Sequence, residues 1–233
     1  MPPKEARVDG ILLIDKPAGW TSHDVVAKVR STLKKETGQK VKVGHSGTLD
    51  PAATGLLVLL VGNYTKRAGE FSKLDKTYEA EITLGATSTT GDREGNISPK
   101  NAQKPSKERV RGVLSQFTGQ IEQTPHPYSA VKVGGQRAYK LAREGKKPQL
   151  QPRQITVYSL QLTDYKYPLL KIKTKVSSGT YIRSLAEDIG AKLGTGAYLS
   201  ALRRTEVGDY NLKKALLLKE INTGNILSGL VKL

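Results

Sequence analysis

Apolar positions along the chain fall into blocks with two different periods, and the switches between them predict the elements. "ILLID" (11–15), apolar up to its last residue, predicts a short buried strand, and "LLVLLV" (56–61), an unbroken apolar run with no polar face, predicts a central one. In "KTYEAEITLG" (76–85), Tyr78, Ala80, Ile82 and Leu84 alternate with polar neighbours, as on a half-buried strand. In "LLKIKTKV" (169–176), Leu170, Ile172, Thr174 and Val176 alternate with Lys171, Lys173 and Lys175; "ITVYSLQLTDY" (155–165) reads as its neighbour. The helical period takes over in "TSHDVVAKVRSTLKKETG" (21–38). There Thr21 and Asp24 spell a capping box, Val25, Val26, Val29 and Leu33 share a face, and Gly38 stops the helix. Further helices are predicted at about 106–118, with Val110, Val113, Leu114 and Phe117 on one side, and over 180–194, closed by Gly194. Residues 128–145 read as a strand, a Gly-Gly turn and a short helix, and 85–96 as a polar, glycine-rich loop. The irregular alternation, with several hairpin signals and no internal repeat, gives an α+β class with a mixed, largely antiparallel sheet flanked by helices.

Composition narrows the function. The 233 residues carry 38 Lys+Arg against 21 Asp+Glu, a formal charge of +17, which is the electrostatic footprint of a nucleic-acid binder. No cysteine is present, so disulfides and thiolate metal sites are excluded, and a reducing, cytoplasmic setting is expected. The start, "MPPKEARVDG", has no apolar core of a secretory signal, and no apolar run is long enough to span a bilayer, so no membrane partner is expected.

The candidate chemistry starts from what is missing. "GHSGT" is not the G-x-S-x-G elbow, and neither a phosphate loop nor a dinucleotide fingerprint occurs. His23, His45 and His126 lack ligand spacing, and Asp92 and Glu94 read as a solvated turn, so no metal is expected. What stands out is Asp50. From Val43 to Val61 it is the sole acid, in "VGHSGTLDPAATGLLVLLV", and His45 is the sole other ionisable side chain. Turn chemistry at Asp-Pro is one reading of it, and a catalytic carboxylate acting on an anionic substrate is the other.

"GHSGTLDPAATGLL" (44–57) resembles the signature segment of the TruB family of RNA pseudouridine synthases. Five more blocks agree in order: "DKPAGWTS" (15–22), "KTYEAEITLG" (76–85), "YSAVKVGGQRAYKLAR" (128–143), "SSGTYIRSLAEDIG" (177–190) and "LRRTEVGDY" (202–210). The resemblance implies isomerisation of uridine to pseudouridine in RNA, typically at position 55 in the T-arm of tRNA. It also implies a sheet-based catalytic domain, expected over residues 1–210, with no cofactor and no metal, acting as a monomer. The chemistry agrees: the N1–C1′ bond breaks, uracil turns, and C5 joins C1′ without redox change. One carboxylate, as nucleophile or as base in a glycal-type route, suffices.

By the same resemblance Asp50 is catalytic and Arg183 is its cationic partner, since an opposite charge favours the ionised carboxylate. Tyr78 lies against the flipped uracil, Tyr181 and Leu202 line the same pocket, and His45 helps prise the base from its stack. Lys16 and Pro17 shape the site, Lys16 with a phosphate as its conceivable partner. Lysines and arginines through 100–153 and along "KIKTK" are expected to meet phosphates. Bacterial family members usually continue into a small RNA-binding domain; here residues 211–233 are expected to form one terminal helix and a tail. A tRNA-folding helper and a guide-RNA-dependent synthase are the competing functions.

Overall fold

The computed structural model describes residues 7–100 and 103–232; residues 1–6, part of the N-terminal stretch read above, lie outside it. In chain order the strands are β1 (Gly10–Lys16), β2 (Val43–His45), β3 (Thr54–Val61), β4 (Lys76–Leu84), β5 (Ala86–Ser88), β6 (Ile97–Pro99) and β7 (Gly119–Gln123). They continue as β8 (Lys132–Val133), β9 (Gln136–Arg137), β10 (Arg153–Lys166), β11 (Leu169–Val176), β12 (Ala197–Val207), β13 (Tyr210–Asn211) and β14 (Leu216–Leu217). The α-helices are α1 (Ser22–Thr37), α2 (Ala68–Ser72), α3 (Lys107–Ser115), α4 (Ala138–Arg143) and α5 (Ile182–Leu193). The class is the expected α+β with a mixed sheet. The chain forms two compact units, residues 1–76 with 203–233 and residues 77–202. No helix among the described residues is long and apolar enough to cross a membrane.

In the first unit β1 pairs antiparallel with β3, from Gly10↔Val61 to Lys16↔Gly55, and β2 pairs with β3 on its other side. The two apolar runs are buried on both faces. Leu12, Ile14, Leu57, Leu59 and Val61 pack with Val25, Val26, Val29 and Leu33 of α1. Ile11, Leu13, Leu56, Val58 and Leu60 pack with Phe71 and Val207. Full burial of such a side chain contributes roughly 1.5–3 kcal/mol, so these faces anchor the unit. The capping box of α1 is complete, with Asp24 N donating to Thr21 Oγ1 (3.1 Å) and Thr21 N to Asp24 Oδ2 (2.9 Å). Gly38 ends the helix in the left-handed region at φ 70°. β3 and β12 run parallel at Arg203↔Thr54 and Arg204↔Gly55. Gly55 sits at φ 100° with its α-carbon against the Arg204 backbone, where a β-carbon would overlap main-chain atoms.

After Tyr210 the chain departs from the expected terminal helix. Residues 212–214 and 218–220 are single 3₁₀ turns, and between them β14 adds to the sheet parallel to β1 at Ile14↔Leu216 and Asp15↔Leu217. The free edge of β1 offers "LL" a ladder, which outweighs the helical propensity of "LKKALLLKE".

In the second unit the strands run in the order β12–β4–β11–β10–β7, with β11 and β7 antiparallel to β10. Leu170, Ile172, Thr174 and Val176 of β11 point inward as their alternation predicted. Helix α3 starts at an N-cap, Ser106, and packs on α5. Residues 128–131 form no strand; the Gly134-Gly135 turn joins the two-residue strands β8 and β9, and α4 follows. The loop predicted over 85–96 instead begins with β5, which pairs with β6.

Candidate active site

Asp50 sits in the turn between β2 and β3, and the backbone on both sides of it is pinned. Leu49 N donates to Ser22 Oγ at 2.9 Å, and Ser22 Oγ donates in turn to Leu49 O at 3.1 Å. Pro51 O accepts from Gly19 N at 2.9 Å and from Lys16 Nζ at 3.1 Å. Ala53 N closes the turn on Asp50 O at 3.1 Å. Ser22 is the first residue of α1 and Lys16 the last of β1, so the start of a helix and the end of a core strand hold the turn.

Lys16 is 0% exposed, and its ammonium also donates to Pro17 O (3.0 Å) and Trp20 O (2.7 Å). It therefore organises backbone, and the phosphate contact raised for it from the sequence is not its role. Sequence reading also passed over Arg204, which is 2% exposed. Its guanidinium donates to Leu56 O (2.8 Å) and Gly47 O (3.0 Å), tying β3 to the "HSG" bend before Asp50. Arg203 beside it reaches Asp15 Oδ2 at 2.7 Å.

His45, at the end of β2, has a buried Nδ1 without a hydrogen-bond partner among the described residues. Burial first, then electrostatic repulsion from Arg204 and the neighbouring His23, push its pKa below the ordinary histidine value, which favours the neutral ring. Lys76 is pushed down to about 8 by burial and Arg204, against a smaller opposing effect of Asp75. Its ammonium donates to Ser72 O and Leu74 O, both at 2.6 Å. Beside β2, a cleft of about 480 Å³ is lined by Arg30, Lys40 and Lys42 with Val41, Val43, Gly44 and Thr65, without a carboxylate among the described residues of its wall.

Tyr78, Tyr181, Arg183 and Leu202 belong to the second unit. Tyr78 is buried on β4, and Leu202 is half-buried on β12. Tyr181 is the N-cap of α5 and is held at both backbone groups by the buried Gln123: Tyr181 N donates to Oε1 (2.8 Å), and Nε2 donates to Tyr181 O (3.1 Å). Arg183, the second residue of α5, is buried, with Nη1 donating to Thr90 O (3.2 Å) and Nη2 to Tyr128 O (3.0 Å). Asp92 Oδ2 lies 3.6 Å from Nη1.

That last contact corrects the reading of Asp92 as part of a solvated turn. Asp92 is 9% exposed, and its Oδ1 accepts from Thr90 Oγ1 (2.6 Å) and Glu94 N (3.0 Å) while Oδ2 faces the guanidinium. The turn bonds were legible in "TTGDREG", but the arginine 91 residues further on was not. Several of the lysines expected at phosphates also have protein contacts: Lys171 pairs with Glu81 (3.1 Å) and Lys146 with Glu144 (2.7 Å), while Lys104 lies over the Tyr167 ring and Lys175 over the Tyr158 ring. Among the described residues no group of three or more His, Cys, Asp or Glu is placed to hold a metal ion.

Comparisons with known proteins bear on these residues. A family model described as "TruB family pseudouridylate synthase (N terminal domain)" matches residues 34–182, which include His45, Asp50, Tyr78 and Tyr181. One described as "tRNA pseudouridylate synthase B C-terminal domain" matches residues 183–227, which include Arg183 and Leu202. The chain is 44% identical over 217 residues to tRNA pseudouridine synthase B of Dechloromonas aromatica, a match covering 93% of this chain and 71% of that protein. It is 45% identical over 222 residues to the Thermobifida fusca protein of the same name, covering 91% and 74%. Among solved structures it resembles a chain in the crystal structure of a Cbf5-Nop10-Gar1 complex, with TM-score 0.69 and 30% identity, over 91% of this chain and 53% of that one. An H/ACA RNP bound to a substrate RNA containing 2′-deoxyuridine gives TM-score 0.66 and 27% identity, over 91% and 51%. The chain thus spans about half the length of those solved chains.

Proposed function

The chain belongs to the TruB family of pseudouridylate synthases, and on that premise we propose that it converts uridine to pseudouridine in tRNA, at position 55 of the T-arm. Asp50 is the catalytic carboxylate. The observation that carries this reading is the pinned turn at Asp50: the neighbours on both sides are fixed to α1 and β1 through Ser22 and Lys16. A carboxylate so mounted is preorganised, and positioning of this kind accounts for several kcal/mol of a barrier, roughly 7–11 in the best cases.

The reaction needs the carboxylate ionised, whether it attacks C1′ or removes a sugar proton. N1–C1′ breaks, uracil turns about its own plane, C5 bonds C1′, the C5 proton leaves to water and N1 takes one up. Tyr78, Tyr181, Arg183 and Leu202 bind the substrate, with Tyr78 stacking on uracil for roughly 1–3 kcal/mol. His45 acts as a neutral flat ring beside the vacated stack, which its depressed pKa suits. Lys16 and Pro17 support the turn. The basic cleft of Arg30, Lys40 and Lys42 lies at the start of the strand that ends at His45, so it suits the RNA backbone flanking the extruded nucleotide. The reading asks for no cofactor and no metal, and takes the enzyme as a cytoplasmic monomer whose catalytic residues fall within residues 1–210.

The test is tritium release from a [5-³H]uridine-labelled tRNA transcript with no other protein or RNA added. One equivalent released, and none from a transcript carrying C at position 55, is the expected result. Release that requires a guide RNA and partner proteins would replace this reading with the ribonucleoprotein one. No release under either condition would leave binding without chemistry, the folding-helper function.

A further inference from the structure

Behind Arg183 lies a group that the proposed chemistry does not use. His126 is 5% exposed, in the "TPHPYSA" segment that follows β7. Its Nδ1 accepts from Tyr128 N at 3.2 Å, so the ring proton sits on Nε2, which faces Glu187 Oε1 at 3.6 Å. The imidazole also stacks on the Tyr128 ring at 5.9 Å between centroids. Glu187 is four residues beyond Arg183 and thus one turn further along the same helix. Gly91 at φ 71° closes the group, for a β-carbon there would stand 3.0 Å from His126 Nε2 and 3.2 Å from the Glu187 carboxyl carbon.

The two carbonyls that receive Arg183 flank this imidazole. Tyr128 gives its N–H to His126 and its C=O to Arg183 Nη2. Thr90, whose C=O receives Nη1, directly precedes the glycine against which His126 packs. We propose that His126, held against Glu187, is a positioning residue for Arg183: it fixes the two backbone carbonyls that set the height and tilt of the guanidinium. The inference rests on the reading that Arg183 binds substrate. It predicts that the side chain at position 126 acts through a hydrogen bond at the δ position, not through bulk. A side chain whose δ atom accepts the N–H two residues on makes an Asx-type turn, and asparagine does this as well as histidine.

The experiment compares His126→Ala, His126→Asn and the wild type in single-turnover isomerisation and in tRNA binding. The alanine variant is expected to slow isomerisation by about 10- to 100-fold, the scale of a small misplacement of a positioned group, with tRNA Kd within about twofold. The asparagine variant is expected to recover most of the rate. In an Arg183→Ala background, His126→Ala should add nothing further, because the imidazole acts only through the guanidinium. Equal losses in alanine and asparagine, or additive losses in the double variant, would overturn the proposal. Should the alanine variant not fold, His126→Gln takes its place, its carbonyl lying one bond too far to accept from Tyr128 N.

Amide exchange at Tyr128 is read on the same proteins and needs no activity. It should speed up about 10-fold or more in the alanine variant and return in the asparagine one. Unchanged exchange would also overturn the proposal. A wild type that makes no pseudouridine, with Tyr128 exchange behaving as expected, would reject the function and keep the positioning pair.

Discussion

Replacing Lys16 by Met removes the ammonium and keeps most of the stem, which isolates the bonds that the charge makes. Three carbonyls receive those bonds, at Pro17, Trp20 and Pro51. Pro51 O keeps its bond from Gly19 N, so the variant leaves the Pro17 and Trp20 carbonyls without this donor. A buried acceptor left unmatched costs about 1–3 kcal/mol. Pro17 and Trp20 are both exposed residues, so water can reach their carbonyls and the lower part of the range applies to each. Relief from burying a charge offsets a further part. The net loss comes to about 1–2 kcal/mol, or roughly 2–8 °C in Tm for a chain of this size. Urea and thermal unfolding followed by circular dichroism measure it. Because Pro51 adjoins Asp50, single-turnover isomerisation should also slow by about 10-fold or more in protein that is fully folded at the assay temperature. A variant with the wild-type midpoint and the wild-type rate would refute the reasoning, since the ammonium would then hold nothing.

Arg183→Lys should lower turnover by about 100-fold while tRNA binding changes little, because a point charge cannot span the Thr90 and Tyr128 carbonyls and face Asp92 at once; comparing single-turnover rate with Kd checks this. His45 has its pKa depressed in the folded chain, so the unfolded chain binds the extra proton between the folded value and about 6.5, and stability is lost as pH falls through that window. Wild-type urea midpoints should therefore drop more between pH 7.5 and 5.5 than those of His45→Gln, and parallel curves would contradict the assignment. Gly55→Ala should destabilise by at least about 2 kcal/mol, through a β-carbon at positive φ forced onto the Arg204 backbone; an unchanged midpoint would show that β3 and β12 can part at no cost.

What the sequence made legible was local or periodic. The α1 capping box, the Gly38 stop and the doubly buried "LLVLLV" follow from spacing within a few residues, and each formed as read. The inward alternation of β11 did too. Missed features depend on partners far along the chain, which leave no period to find. Ser22 holds Leu49 across 27 residues, Gln123 clasps Tyr181 across 58, and Asp92 is buried because Arg183 arrives from α5. The segment after Tyr210 has a helical composition, but its fate was decided by the open edge of β1. Asp50 itself stood out as a lone acid in an uncharged stretch, and the ordered blocks around it gave the chemistry. Nothing in those blocks signalled that Lys16 and Arg204 would spend their charges on backbone carbonyls.

The most direct measurement of the central claim is tritium release from [5-³H]uridine-labelled tRNA by wild type and Asp50→Asn at matched, saturating enzyme. The amide preserves shape and the backbone bonds of the turn while removing the charge, so tRNA binding and unfolding midpoint should stay close to wild type. Release is expected to fall below detection. An Asp50→Asn protein that still releases tritium at the wild-type rate would contradict the account.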